Sequence, residues 1–126
     1  MYGIVIVVLI ASGIAFMFGR GMSKEDSTAL DTFAQCLTQK NATMYGTFWC
    51  PHCAATKKRF GTSFQYINYI ECDPRGEKAQ SEFCIVKGID KYDTWEFADG
   101  SKVVSEPSFE TLGLKTGCAP PGAANG

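Results

Sequence analysis

The sequence has no surplus of charge of either sign. Its 126 residues include 12 Lys and Arg against 13 Asp and Glu, which gives a formal net charge of −1. Proteins that bind nucleic acid through the phosphates carry a basic surplus, so nucleic-acid binding is excluded as a function. The composition, 45% hydrophobic and 20% charged residues, is that of a folded chain long enough for one domain.

Charged residues are absent from residues 2–19, a segment that is also strongly apolar. A helix of this length measures about 27 Å, close to the hydrocarbon thickness of a bilayer. A cleaved signal peptide is the alternative, but the first three residues lack the basic start that it needs. We therefore predict a membrane anchor or signal-anchor at residues 1–22, one domain at residues 23–118 and a flexible tail at residues 119–126.

The side of the membrane follows from two opposed signals. Arg20 and Lys24 come just after the apolar segment, which by the positive-inside rule favours a cytoplasmic domain. The chain also has six cysteines, and an even number in a short chain favours disulfides and an oxidising compartment. We give the cysteines more weight and predict a domain outside the cytoplasm, on the periplasmic or extracellular face.

The predicted helices and strands alternate along the domain. Apolar and β-branched runs predict strands at residues 44–49 and 66–71, and a hairpin at residues 94–97 and 102–104. Helices are predicted from Ser27, from Pro51, over residues 77–87 and from Ser108. A strand, a helix and a second strand at this spacing form a parallel crossover, so the fold class is α/β with a mixed sheet flanked by helices.

The chemistry is concentrated in Cys50-Pro51-His52-Cys53, at the start of a helix that follows a strand. A helix N-terminus stabilises a thiolate, and Pro51 presets the first turn. Cys53, one turn later, is placed to form a disulfide with Cys50, while His52 adds a hydrogen-bond donor near the sulfur. The motif therefore predicts thiol–disulfide exchange.

Half of a zinc site is the alternative interpretation of the motif. Zinc normally takes four ligands, often from two Cys-x-x-Cys pairs, and the sequence has no second pair. We predict neither a metal nor another cofactor.

Three segments, MYGTFWCPHC, YINYIECD and GIDKYDTWEF, resemble the thioredoxin-like domain that is fused to, or works beside, bacterial-type vitamin K epoxide reductase homologues. A more distant resemblance is to Dsb-class disulfide oxidases, which share the Cys-Pro-His-Cys motif. The resemblance implies a thioredoxin-like fold, with Cys50 as the nucleophile and Cys53 as the resolving thiol. It also implies client proteins with thiols or disulfides and a membrane redox partner, quinone-linked, that re-oxidises the domain.

The resemblance also favours a disulfide between Cys72 and Cys84, in a local loop. Cys36 on the first helix and Cys118 after the last helix would then form a second disulfide that joins the two ends of the domain. Four free thiols remain the alternative for a domain in the cytoplasm.

Two positions depart from the family pattern. Met44 stands where many thioredoxins have a buried carboxylate that accepts a proton, and Glu71, Asp73 and Glu96 are the other candidate acceptors. At the second position the family's cis-proline is replaced by Asp93.

The segment Tyr92-Asp93-Thr94, together with Trp49, is expected to line the substrate groove. A cis bond before a non-proline residue costs about 3–4 kcal/mol, so a trans Tyr92–Asp93 bond is expected. An ionised Asp93 near Cys50 would oppose the thiolate; a proton-shuttling Asp93 and a solvent-facing surface loop are the alternatives.

The function predicted from the sequence is a membrane-tethered thiol–disulfide oxidoreductase that leans towards oxidation or isomerisation. The alternative is a non-catalytic thioredoxin-fold binding module, with or without metal bound to the cysteine pair. The motif does not fix the direction of electron flow.

Overall fold

The computed structural model describes residues 22–122, in which four helices flank four short strands. The helices are α1 (Met22–Gln39), α2 (Pro51–Phe60), α3 (Ser81–Val86) and α4 (Phe109–Thr116), and a 3₁₀ helix, Gly61–Tyr66, follows α2. The strands are β1 (Thr43–Gly46), β2 (Tyr69–Glu71), β3 (Thr94–Glu96) and β4 (Lys102–Val104). This order of α and β elements agrees with the predicted one.

The four strands form one mixed sheet in the order β2-β1-β3-β4. β1 runs parallel to β2, with Tyr45 opposite Ile70, and antiparallel to β3, with Tyr45 opposite Thr94. β3 and β4 form the antiparallel hairpin that Asp99-Gly100 predicts. A mixed sheet of this topology with helices packed on it fits a thioredoxin-like fold.

Each face of the sheet has its own buried core, because successive strand residues point to opposite sides. Met44 and Trp95 belong to the larger cluster, which also contains Cys53, and Tyr45 belongs to the smaller one. The other large side chains of the larger cluster come from the helices: Phe33, Leu37, Phe60 and Leu112. The redox pair therefore lies on the face that carries most of the buried apolar surface.

Several predicted boundaries were wrong, each because of a turn. The first strand ends at Gly46, since residues 47–50 turn and the N–H of Cys50 donates to Thr47 O at 3.3 Å. The second strand is shortened by the 3₁₀ helix. The third helix begins at Ser81, because residues 72–80 form a loop that the N–H of Gln80 closes on Glu71 O at 2.8 Å.

The start of the first helix was also predicted wrongly. α1 already includes Met22, so Ser27 lies inside the helix and is not its N-cap. Of the anchor predicted at residues 1–22, only Met22 belongs to the described residues, where it begins α1. Between residues 22 and 122, no helix combines the length and the apolar composition that a membrane span requires.

Candidate active site

Cys50 is held at the N-terminus of α2 by the turn that follows β1. It is the N-cap residue, with φ −73° and ψ 124°, and Pro51 occupies the first turn of the helix. The backbone N–H of Cys53 donates to Cys50 Sγ at 3.4 Å. A sulfur in this position faces the unpaired N–H groups and the positive end of the helix dipole, which both stabilise a thiolate.

Cys53 lies one helical turn further on and is 1% exposed. Its burial raises the pKa of the Cys53 thiol to about 12, and the hydrogen bond with Cys50 and the charges of Cys50 and Asp93 act in the same direction. A backbone hydrogen bond with Thr47 partly opposes this increase. Cys53 is therefore a protonated thiol at neutral pH, and it must lose a proton before it can attack a disulfide.

Gly46, the last residue of β1, lies directly against Cys53. A Cβ at this position would be 2.7 Å from Cys53 Sγ and 3.1 Å from a ring carbon of Tyr69. The distance to the sulfur is too short for a side chain and the distance to the ring is tight, so the close approach of the resolving thiol favours glycine here.

The remaining four cysteines are paired as the sequence analysis expected. Cys36 on α1 is bonded to Cys118 after α4, with Cα atoms 5.9 Å apart, and Cys72 is bonded to Cys84 on α3, with Cα atoms 5.7 Å apart. Both Cα separations are ordinary for protein disulfides. Cys50 and Cys53 are free thiols.

His52 is exposed and makes its contact on the far side of the motif. Its Nδ1 lies 2.7 Å from Oε1 of Glu106, in the segment between β4 and α4. The sequence placed a donor from His52 beside the Cys50 sulfur, whereas the structure pairs this ring nitrogen with a carboxylate.

The Tyr92–Asp93 peptide bond is cis, so the expectation of a trans bond was wrong. That expectation used only the preference of an isolated peptide, whereas here the Asp93 carboxylate is fixed inside the fold. Oδ2 accepts hydrogen bonds from Thr56 Oγ1 at 2.9 Å and Trp95 Nε1 at 3.1 Å, and Oδ1 accepts one from the Glu106 N–H at 3.0 Å. Asp93 is fully buried, so the alternative of a solvent-facing loop was wrong too.

The predicted groove residues divide between the surface and the interior. Trp49 is 53% exposed, its ring meets that of Tyr92 edge to face at 6.2 Å, and the neighbouring Phe48 is 55% exposed. Thr94 is buried, and its hydroxyl donates to Lys91 O at 2.5 Å. The exposed edge beside Cys50 is thus aromatic.

Asp73 anchors this aromatic edge. Its Oδ2 accepts a hydrogen bond from Trp49 Nε1 at 2.6 Å. The same oxygen forms an ion pair with Nη2 of Arg75 at 2.8 Å. The hydrogen bonds from Arg75, followed by the one from Trp49, hold the pKa of the Asp73 carboxyl well below its usual range. Asp73 therefore fixes the Trp49 ring through a charged hydrogen bond, a contact between residues 24 positions apart that spacing alone does not reveal.

A second carboxylate, Glu71, is buried at the end of β2. The Tyr69 hydroxyl donates to Oε1 of Glu71 at 3.2 Å, and the Asp73 N–H donates to Oε2 at 3.1 Å. Burial, followed by the charge of Glu71, raises the pKa of Tyr69 well above its usual value. The sequence analysis named Glu71 among three candidate proton acceptors but gave Tyr69 no role.

The described residues contain no group of three or more His, Cys, Asp or Glu side chains arranged to hold a metal ion.

No protein-family model matches the chain. A curated protein, the thiol-disulfide oxidoreductase LTO1 of Arabidopsis thaliana, is 35% identical over 92 residues, which cover 70% of this chain and 24% of that protein. The chain thus spans about a quarter of the length of the relative that it matches. Taken with the mixed sheet and the thiol pair at a helix N-terminus, this similarity supports a thioredoxin-like redox domain.

Proposed function

We propose that this chain is a protein thiol–disulfide oxidoreductase in which Cys50 is the nucleophile and Cys53 is the resolving thiol. The observation that carries the proposal is the asymmetry of the pair. Both side chains are buried, with Cys50 4% and Cys53 1% exposed, but the Cys50 sulfur lies at the helix N-terminus and accepts the N–H of Cys53, whereas the pKa of Cys53 is raised. The other four cysteines are already in disulfides and do not compete for clients.

In the reducing direction the Cys50 thiolate attacks a client disulfide. A bond forms between Cys50 and one client sulfur, and the other client sulfur leaves as a thiolate that takes a proton from solvent. Cys53 then loses its proton and attacks Cys50, which forms the Cys50–Cys53 disulfide and releases the second client sulfur. Two electrons pass from the pair to the client, and the oxidising direction runs through the same steps in reverse.

Clients are proposed to dock along the aromatic edge formed by Phe48, Trp49 and Tyr92. The Phe48 and Trp49 rings are exposed, the partly buried Tyr92 ring packs against Trp49, and Trp49 is fixed by its hydrogen bond to Asp73. Large aromatic surfaces held in one orientation bind an extended chain at a low entropic cost.

The cellular setting is part of the same proposal. The apolar segment at residues 2–19 supports a membrane tether, and two disulfides in so short a chain support a compartment outside the cytoplasm. Cys-Pro-His-Cys favours an oxidase or isomerase. Acting as an oxidase, the pair is reduced by two electrons in each cycle and is re-oxidised by a membrane partner, quinone-linked. The relative's name supports the redox chemistry but neither the tether nor the partner.

Insulin reduction by the full chain in the presence of dithiothreitol tests the activity. We expect Cys50→Ser to abolish turnover, and Cys53→Ser to accumulate a mixed disulfide through Cys50 that a non-reducing gel detects. A control that replaces both Cys36 and Cys118 with Ala keeps the redox pair and is expected to retain turnover below its unfolding temperature.

Turnover by Cys50→Ser, or none by folded wild-type protein, would refute the proposal. A folded, inactive wild type that binds zinc tightly through Cys50 and Cys53 would instead support the binding module.

A further inference from the structure

The Tyr69 side chain and the Cys53 thiol lie against the same glycine. A Cβ on Gly46 would be 2.7 Å from Cys53 Sγ and 3.4 Å from the Tyr69 hydroxyl oxygen. The two distances together place the hydroxyl within about two hydrogen-bond lengths of the sulfur, a gap that one water molecule can bridge. Tyr69 is therefore a polar side chain within reach of the resolving thiol.

Beyond Tyr69 the path continues to Glu71 and then to solvent. The Tyr69 hydroxyl donates to Glu71 Oε1 at 3.2 Å, and Glu71 is 6% exposed. Glu71 also lines an open cleft of about 500 Å³. The other lining residues are Phe48, Lys57, Tyr69, Glu77, Lys78 and Gln80. A proton that reaches Glu71 can therefore leave for bulk water without crossing the core.

We propose that Glu71 exchanges the proton of Cys53 with solvent through the Tyr69 hydroxyl. The inference rests on the proposed function, because it supplies the proton step which that function requires. When Cys53 attacks Cys50, the Cys53 S–H bond breaks and its proton passes, across the gap that one water molecule can bridge, to the Tyr69 oxygen, while the Tyr69 hydroxyl proton passes to Glu71. When the Cys50–Cys53 disulfide is opened by a client thiolate, the leaving Cys53 sulfur takes a proton back along the same path.

Asp93 is the other carboxylate near Cys53, and its contacts argue against this role. Its two oxygens accept three hydrogen bonds, from Thr56, Trp95 and the Glu106 N–H, and it is fully buried. It can raise the pKa of Cys53 by its charge, but its oxygens are already held by three donors, and it is not among the residues that line the cleft beside Glu71.

The charged and titratable groups around the path come from three elements. Cys53 is faced by Cys50, Tyr69, Tyr92 and Asp93. Around the cleft, Nζ of Lys57 on α2 lies 4.1 Å from the centre of the Tyr69 ring, and Glu77, Lys78 and Asp73 follow β2. Between about pH 6 and pH 8.5 exposed lysines and carboxylates keep their ordinary charges, so we choose this range for the test.

The test separates the two thiol reactions by mixing the reduced full chain with one equivalent of 5,5′-dithiobis(2-nitrobenzoate). The first release of thionitrobenzoate reports the attack by Cys50, and the second reports the attack by Cys53 on the resulting mixed disulfide. We expect Glu71→Gln and Tyr69→Phe to leave the first rate within about twofold and to slow the second by at least tenfold at pH 7, given that general acid–base catalysis contributes about 10²–10⁴-fold. The slowing should shrink as pH rises, because hydroxide replaces the lost acceptor.

The chain offers a matched control on the opposite face of the sheet. The Tyr45 hydroxyl donates to Glu96 Oε1 at 3.0 Å, which is also a tyrosine–glutamate hydrogen bond but joins neighbouring strands on the face without the redox pair; Glu96 pairs in addition with Lys87 and Lys102. Glu96→Gln and Tyr45→Phe should leave both release rates and their pH profiles unchanged. They measure what the loss of a tyrosine–glutamate contact does to the fold alone.

Each outcome decides the proposal. The proposal is overturned if the second release of thionitrobenzoate is as fast in Glu71→Gln as in Glu96→Gln, or as fast in Tyr69→Phe as in the wild type. It is also overturned if Asp93→Asn slows the second release as much as Glu71→Gln does. If Glu71→Gln fails to fold, Tyr69→Phe, which keeps the ring under Lys57, decides. Wild-type protein that never gives the second release would refute the exchange function itself, whereas a normal wild type with unaffected variants refutes only the proton path.

Discussion

The buried Asp93 carboxylate is expected to contribute strongly to stability. It accepts three hydrogen bonds, from Thr56 Oγ1, Trp95 Nε1 and the Glu106 N–H, and these tie β3 to α2 and to the segment after β4. In Asp93→Ala the Thr56 hydroxyl can turn to another acceptor, but the two N–H donors are fixed by the fold. An unsatisfied buried donor costs about 1–3 kcal/mol and a charged hydrogen bond contributes about 1.5–3, so we expect a loss of about 3–5 kcal/mol in the free energy of unfolding.

Asp93→Asn should cost less, about 1–3 kcal/mol, because the amide oxygen still accepts one fixed N–H while the amide nitrogen faces the other. Urea denaturation with both disulfides intact measures these losses, and an unchanged dependence on urea would show that the unfolded state is comparable. The exposed Asp90, three residues earlier, gives the matched controls Asp90→Ala and Asp90→Asn. A loss below about 1 kcal/mol in Asp93→Ala, equal to that of Asp90→Ala, would refute the assignment of these hydrogen bonds.

The two disulfides should differ in what they contribute to stability. Their partners are 82 and 12 residues apart, so the chain-entropy model predicts a loss of about 4–5 kcal/mol when Cys36 and Cys118 are both replaced by Ala and about 3 kcal/mol for Cys72 and Cys84; the opposite order in urea denaturation would contradict the model. The raised pKa of Cys53 predicts a pH dependence as well. Because the neutral thiol is favoured in the folded state, the contribution of Cys53 to stability is complete below pH 9.0 and is lost as pH rises towards about 12. The free energy of unfolding of the reduced wild type should therefore fall over this range relative to that of Cys53→Ala. A difference between the two proteins that stays constant with pH would count against the assignment.

The elements that the sequence predicted well carry their signals within a few residues. Ser108 caps α4 by accepting the Thr111 N–H at 3.0 Å, and Gly117 ends the helix in the left-handed conformation. Asp99-Gly100 marks the hairpin in the same local way. Capping and turn formation depend on neighbours in the chain, so a local pattern is enough to predict them.

The boundaries that failed depend on partners distant in the sequence. Phe48 and Trp49 extend an apolar run and favour a longer strand, yet both are exposed, and β1 ends at Gly46 where its pairing with β2 ends. Hydrophobicity alone does not distinguish an aromatic residue in a core strand from one at the edge of a groove.

The site shows the same division between local and long-range information. The sequence by itself determined the redox pair, because Cys50 and Cys53 one turn apart at a helix start need only local geometry to act together. Only the tertiary structure decided which groups surround the pair: Asp93 comes to Thr56 from 37 residues away, and Tyr69 meets Cys53 across Gly46. A proton path and a buried carboxylate depend on contacts between segments that fold onto one another, and these distances are set by the packing of the sheet and helices rather than by spacing along the chain.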